Sequence, residues 1–292
     1  MANTSESTFP NTKESVAEIK KKAPIYFASQ NKLVTSNDFE VFVERHFSNI
    51  ISSVKVVNNN DYLDGHLKYL HDDLKLTAPN LESRVLYNQI TFATTTNFNN
   101  VYIYAVPKIN LRSSTNVAVN FLTTAQKNII ATDLELTKML SLDPVIVDPV
   151  YVAVDIGVTN TTETITTDVT DSTKLYVVQS ANTTTNNDAI KEQTAAIIKK
   201  YFNVINNSLG QVIDMTSITT EILSIEGVDS VYTRRTDDTT IKVDGLSFLV
   251  WNPVYPEKDI IVTSQNLQLP YFKYPYFFSE TDILSKIEVV LS

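Results

Sequence analysis

From Phe39 onward the chain places Phe39, Phe42, Val43, His46 and Phe47 at i, i+3, i+4, i+7 and i+8, with Glu40, Glu44 and Arg45 on the other side. That spacing predicts a helix with one buried face. Thr35 and Asp38 stand where an N-cap and its capping-box partner belong, and Val34 and Phe39 where a hydrophobic staple would form. Upstream, Val16 and Ile19 predict a short helix stopped near Pro24. Downstream, Ser53 to Val57 reads as a strand, and Asn58-Asn59-Asn60-Asp61 as a turn. Asp61 to Pro79 reads as a polar connector, and Val85 to Ala93 and Val101 to Val106 as two further strands. Ala125 to Leu140 carries Ile129, Ile130, Leu134, Leu136 and Leu140, the pattern of a second amphipathic helix.

Asp143-Pro144 and Asp148-Pro149 bracket a short apolar piece and mark a boundary between units. Beyond it Val150, Val152, Val154, Ile156 and Val158 alternate with Tyr151, Ala153, Asp155 and Gly157, as in a half-buried strand. Leu175 to Val178 is its expected antiparallel partner. Ile190 to Ile205 keeps helical spacing, with Thr185 and Asp188 as a capping box and Gly210 as the stop. A shorter helix, capped at Thr216, runs to Gly227. Ser230–Thr236, Thr240–Val243 and Leu246–Trp251 read as strands joined by turns at Asp237-Asp238 and Asp244-Gly245. Residues 252–278 are rich in Pro and aromatics, and prolines at 253, 256, 270 and 275 predict an irregular extension there; Ile287 to Leu291 reads as a closing strand. The expected class is α+β, with two or more small α/β domains, mixed or antiparallel sheets and amphipathic helices. The expected division is a flexible lead-in over 1–12, an N-terminal α/β domain over 13–145, an α+β domain over 146–251, and an aromatic, Pro-rich extension with a terminal strand over 252–292.

Composition narrows the functions. Charged residues are 20% of the 292 and the net charge is -9, which disfavours a broad nucleic-acid or anionic-membrane surface. The basic run Lys20-Lys21-Lys22 reads as a helix C-terminus beside Glu14 and Glu18. Only 5 residues are glycine and none is cysteine, so phosphate-cradling loops, disulfides, thiolate nucleophiles and Cys-ligated zinc are not expected. No stretch has the length and apolarity of a membrane helix, and residues 1–10 lack a signal peptide's apolar core. The Asn-x-Thr/Ser matches at Asn160 and Asn182 read as chance in a Thr/Asn-rich chain.

The catalytic templates fail on parts. The sequence has no Gly-x-Ser-x-Gly elbow, P-loop, Gly-x-Gly-x-x-Gly or His-Glu-x-x-His. His66 and His71 are five apart, which would put their rings about 140° apart on a helix. Asp72-Asp73 and Asp237-Asp238 are sequence neighbours whose side chains diverge. No enzyme, cofactor, metal or small-molecule substrate is expected. The aromatic extension reads as packing on its own domain, stacking sugars or docking into a neighbouring subunit, and for the last of these Trp251, Tyr255, Tyr271, Phe272, Tyr274, Tyr276 and Phe277 are the candidate contact residues.

Two stretches resemble the baseplate J-like family, and within it the ring-forming wedge proteins of contractile-tailed phage baseplates. The first is A-P-I-Y-F-A-S-Q-N-K-L-V-T-S-N-D-F-E, from Ala23, in which Lys32 and Phe39 stand where the family has Arg and Tyr. The second is P-V-Y-V-A-V-D-I-G-V, followed by Y-F-N-V-I-N-N-S-L-G-Q and I-E-G-V-D-S-V. The resemblance implies a structural virion protein of the tail baseplate, assembled in the host cytoplasm, that binds itself and other wedge proteins and shifts contacts during infection. It also implies that the chain is the C-terminal portion of a longer protein. The alternative is a carbohydrate-binding adhesin or tail-fibre module using Tyr271 and Tyr274.

Overall fold

The computed structural model describes residue 20 and residues 32–68, 99–108, 121–158, 172–181, 185–202, 207–253, 260–280 and 282–292. The expected helix through Val16, the strand over 85–93, His71, Tyr255, Asn160 and Asn182 lie outside these residues. The fold is α+β, with helices packed against several small sheets. Two compact units divide it: residues 32–64, 99–108 and 121–148 form the first, and residues 65–68 and those from 149 onward belong to the second.

In the first unit, helix α1 (Ser36–His46) starts at the predicted cap. Thr35 Oγ1 accepts from the Asp38 amide at 3.2 Å, and Asp38 Oδ2 accepts from the Thr35 amide at 2.8 Å. The staple does not form: Phe39 is buried but Val34 is exposed. Strand β1 (Ile51–Asn58) runs straight into helix α2 (Asn59–Lys68), where a turn and a polar connector were expected. Asn58 makes this possible, since its Oδ1 accepts from the Asp61 amide at 2.8 Å and so acts as a helix cap. Strand β2 (Asn100–Pro107) pairs antiparallel with β1 and parallel with β3 (Asp143–Val147).

Between β2 and β3 lies α3 (Thr124–Glu135), capped by the reciprocal bonds of Thr123 and Gln126. One core gathers Phe39, Val43 and Phe47 of α1, Ile103 and Ala105 of β2, and Ile130 and Leu134 of α3. The alternate β2 residues serve a second contact: Tyr62 of α2 stacks on Tyr102 with ring centroids 3.7 Å apart. Period-two alternation in β2 therefore supplies both faces of the sheet.

The second unit holds two four-stranded sheets. One has the order β10-β9-β4-β12, the other β13-β5-β7-β8. Their members are β4 (Val150–Ile156), β5 (Thr173–Gln179), β7 (Val228–Arg235), β8 (Lys242–Asp244), β9 (Phe248–Trp251), β10 (Ile260–Thr263), β12 (Lys273–Phe277) and β13 (Ile287–Leu291). Helices α4 (Asn187–Tyr201) and α5 (Met215–Leu223) pack with them, and β6 (Val212–Ile213) pairs with β11 (Leu267–Gln268). The helix caps are Asn186 and Asp214, not Thr185 and Thr216.

The expected β4–β5 pair is not made. β4 bonds to β9 and β12, and β5 to β7 and β13. Val152, Val154 and Ile156 instead share a core with Leu175 and Val177, so each strand keeps its apolar face while choosing partners distant in sequence. The tail is not irregular either. Pro275 lies inside β12, parallel to β4 and at the end of its sheet's order, and an edge position is where a strand can lack an amide donor.

Candidate functional site

The seven aromatics named as candidate contact residues are mostly core, packed on their own unit. Trp251, Phe272, Tyr274, Tyr276 and Phe277 are buried, Tyr271 is half-buried, and Tyr255 lies outside the described residues. Phe277 packs against Phe202 and Phe248 with centroids 5.5 and 6.3 Å apart, and Tyr274 meets Tyr151 edge-on at 5.7 Å. A run of aromatics and prolines has the composition of an interface, but parallel pairing to β4 turns it inward. Tyr274 is 0% exposed, so it presents no ring face on which a sugar could stack.

The Asn-Ser-Leu-Gly-Gln stretch singled out in the sequence holds this segment in place. Asn207 Nδ2 donates to the Pro275 carbonyl at 3.0 Å, the Gly210 amide to the Lys273 carbonyl at 3.0 Å, and the Leu269 amide to the Gln211 carbonyl at 3.2 Å. Gly210 has φ +64°, and a methyl there would sit 2.7 Å from Cα of Tyr271. Glycine is required twice over, by conformation and by the close backbone approach. Gly210 does not end α4, which stops at Tyr201; it shapes the later turn that grips the C-terminal segment.

A buried ionic cluster joins the same segment to β4. Asp155 is fully buried; its Oδ2 accepts from Ser279 Oγ at 2.6 Å and lies 3.4 Å from Lys286 Nζ, and its Oδ1 accepts from the Ile156 amide at 2.8 Å. Burial pushes the Asp155 carboxyl above its usual range, with Lys286 and the Ser279 hydroxyl pulling the other way. Serine, lysine and aspartate together have the look of catalytic machinery. Here the hydroxyl is spent on the carboxylate, and the set fastens the segment after β12 and the residue before β13 to β4. Among the described residues, no group of three or more His, Asp or Glu side chains is arranged to hold a metal ion, and no helix is long and apolar enough to cross a membrane.

The surface with the chemistry of an interface lies on the first unit. Ile130 and Leu134, both 0% exposed, face the core, whereas Ile129 is 53%, Leu136 81% and Leu140 101% exposed. The expectation of one helix over 125–140 with a single buried face fails because α3 ends at Glu135, with Ile129 turned outward on it and Leu136 and Leu140 exposed beyond its end. Within α3, positions 130 and 134 are four apart and share the inner face, while 129 stands off it.

Met139 is also exposed. Leu33 bridges Lys138 in parallel, with its amide 3.2 Å from the Thr137 carbonyl, which brings exposed Val34 alongside Met139. Exposed apolar side chains at 34, 136, 139 and 140 therefore lie on the segments at and just after the end of α3. Lys138 reaches Glu135 at 3.0 Å and Asp143 at 3.1 Å beside them. An apolar centre with charges at its margin is the anatomy of a protein contact. The sequence signal was present: five aliphatics within 129–140 exceed what a single buried stripe of that length needs.

No protein-family model matches the chain, and no curated protein matches it in sequence. Among solved structures it is similar to a chain in a cryo-EM structure of the anti-feeding prophage baseplate, six-fold symmetrised, with 10% identity and a TM-score of 0.45. The match covers 90% of this chain and 42% of that one, so the present chain spans less than half the length of that neighbour.

Proposed function

We propose that this chain is a structural subunit of a contractile-tail baseplate, a wedge component that joins further copies of itself and other wedge proteins around the tail hub. The observation that carries the reading is the order of the two sequence motifs of the baseplate J-like pattern. Of the first motif, residues 32–40 are described and lead into capped helix α1; of the second, the described residues lie on β4, the end of α4, the turn at Leu209-Gly210-Gln211, and the passage from α5 into β7. The exposed apolar residues at and after the end of α3 support it by offering a contact surface. Chemistry has no part in this role. Binding sites on separate units would let contacts be exchanged when the baseplate changes shape, two packings of similar free energy being biased by host contact.

Electron microscopy of the purified protein, alone and co-expressed with candidate wedge proteins, tests the proposal. Arcs, rings or defined complexes are expected. Isolated single copies in both preparations, at concentrations where the partners associate with each other, would contradict it.

A further inference from the structure

The face of the β13-β5-β7-β8 sheet that carries Tyr176 and Tyr232 holds a row of three cations. Lys174 of β5 lies directly opposite Arg234 of β7, and Arg234 directly opposite Lys242 of β8. Like charges in facing positions on adjacent strands oppose sheet formation unless an anion relieves them. The outer two have that relief: Lys174 pairs with Glu288 and Lys242 with Asp244, each at 3.0 Å. The central one feels Glu288 only at longer range. Arg234 has no carboxylate within ion-pair distance among the described residues, and its Nε is buried without an acceptor.

The neighbouring row explains how Arg234 is held. Tyr176 and Tyr232 stack at 4.9 Å, nearly parallel, and the Arg234 guanidinium lies 4.5 Å from the Tyr176 ring centre. Lys242 Nζ lies 4.4 Å from the Tyr232 centre. Cation–π contact and a side-chain hydrogen bond to Tyr176 orient the guanidinium, whose Nε is left without an acceptor.

We propose that this face docks a carboxylate-bearing segment of another protein chain, Arg234 taking a carboxylate through two hydrogen bonds while Lys174 and Lys242 flank it. The planar fork of an arginine matches a carboxylate, and a basic row on a chain of net charge -9 is a local exception to its surface. A carbohydrate is disfavoured because the two tyrosine rings already stack on each other and on the cations. The inference is independent of the baseplate reading.

Titration of the full chain at low ionic strength with a hexaglutamate peptide tests it, with hexaglutamine, inorganic phosphate and polygalacturonate as comparison ligands. Hexaglutamate should bind and hexaglutamine should not. Arg234→Gln should weaken hexaglutamate binding about tenfold, the loss of one two-pronged charged contact, and added salt should weaken it in the wild type. Exposed Lys242→Gln should weaken it several-fold and gives the same reading if Arg234→Gln fails to fold. No hexaglutamate binding, binding unaffected by both substitutions, or preference for phosphate or polygalacturonate would each overturn the proposal.

Discussion

Gly210→Ala perturbs the turn that grips the C-terminal segment, and two costs can be worked from its geometry. At φ +64° an alanine carries left-handed strain of about 1–2 kcal/mol. Its methyl would also lie 2.7 Å from Cα of Tyr271, a backbone atom that cannot swing away as a side-chain tip could. Forcing apart two packed segments adds about 1–3 kcal/mol by analogy with overpacked cores. The sum is about 2–5 kcal/mol, a large share of a domain's usual stability. Urea unfolding followed by fluorescence reads this directly, because the one tryptophan of the chain is Trp251, buried in the second unit 5.3 Å from the Phe278 ring. The transition should move to lower urea with little change in slope. A loss below about 0.5 kcal/mol, the range of ordinary surface substitutions, would refute the claim that this glycine fixes the clamp.

Ile130→Ala should destabilise the first unit by about 2–5 kcal/mol and Ile129→Ala by less than about 0.5 kcal/mol; equal effects in thermal unfolding would contradict the assignment of Ile130 to the buried face of α3 and Ile129 to its outer face. Because the folded-state pKa of Asp155 is raised, its contribution to stability is fully present below its unfolded pKa and is lost as pH rises through the folded value. The stability of wild type minus that of Asp155→Asn should therefore fall as pH is raised from acid, and a flat or rising difference in urea titrations would count against the burial argument. Asp237 shows the opposite sign: its bond to Arg235 lowers its pKa to about 2, so the stability it contributes is present above its unfolded pKa and lost as pH falls towards 2. A stability advantage of wild type over Asp237→Asn that persisted unchanged to that pH would contradict the pairing.

Local chemistry was legible in the sequence where it acts over a few residues. The Thr35–Asp38 cap of α1 and the turns around β8 are of this kind, since the atoms that make them are within three or four positions of one another. Partner choice between strands was not legible: β4 and β5 both show the right alternation, but which strands they bond is decided by Phe248 to Trp251 and the 273–277 segment, far along the chain. The same non-local choice turned Tyr274 and Phe277 inward. The contact surface was half legible, because Ile129, Leu136 and Leu140 were visible as apolar while the end of α3 at Glu135, which leaves the last two outside the helix, was not. Lys174, Arg234 and Lys242 gave no signal as a row, since only the sheet register brings them together.

The central claim, that this is an assembly subunit whose contacts include the exposed end of α3, is tested most directly by sedimentation velocity. Wild type should be compared with Leu136→Glu/Leu140→Glu over micromolar concentrations. Both positions are exposed, so the variant should keep wild-type stability. The wild type is predicted to form a dimer or larger species that grows with concentration, and the variant to remain a monomer. A wild type that stays monomeric throughout, or a variant that associates equally well, would contradict the account.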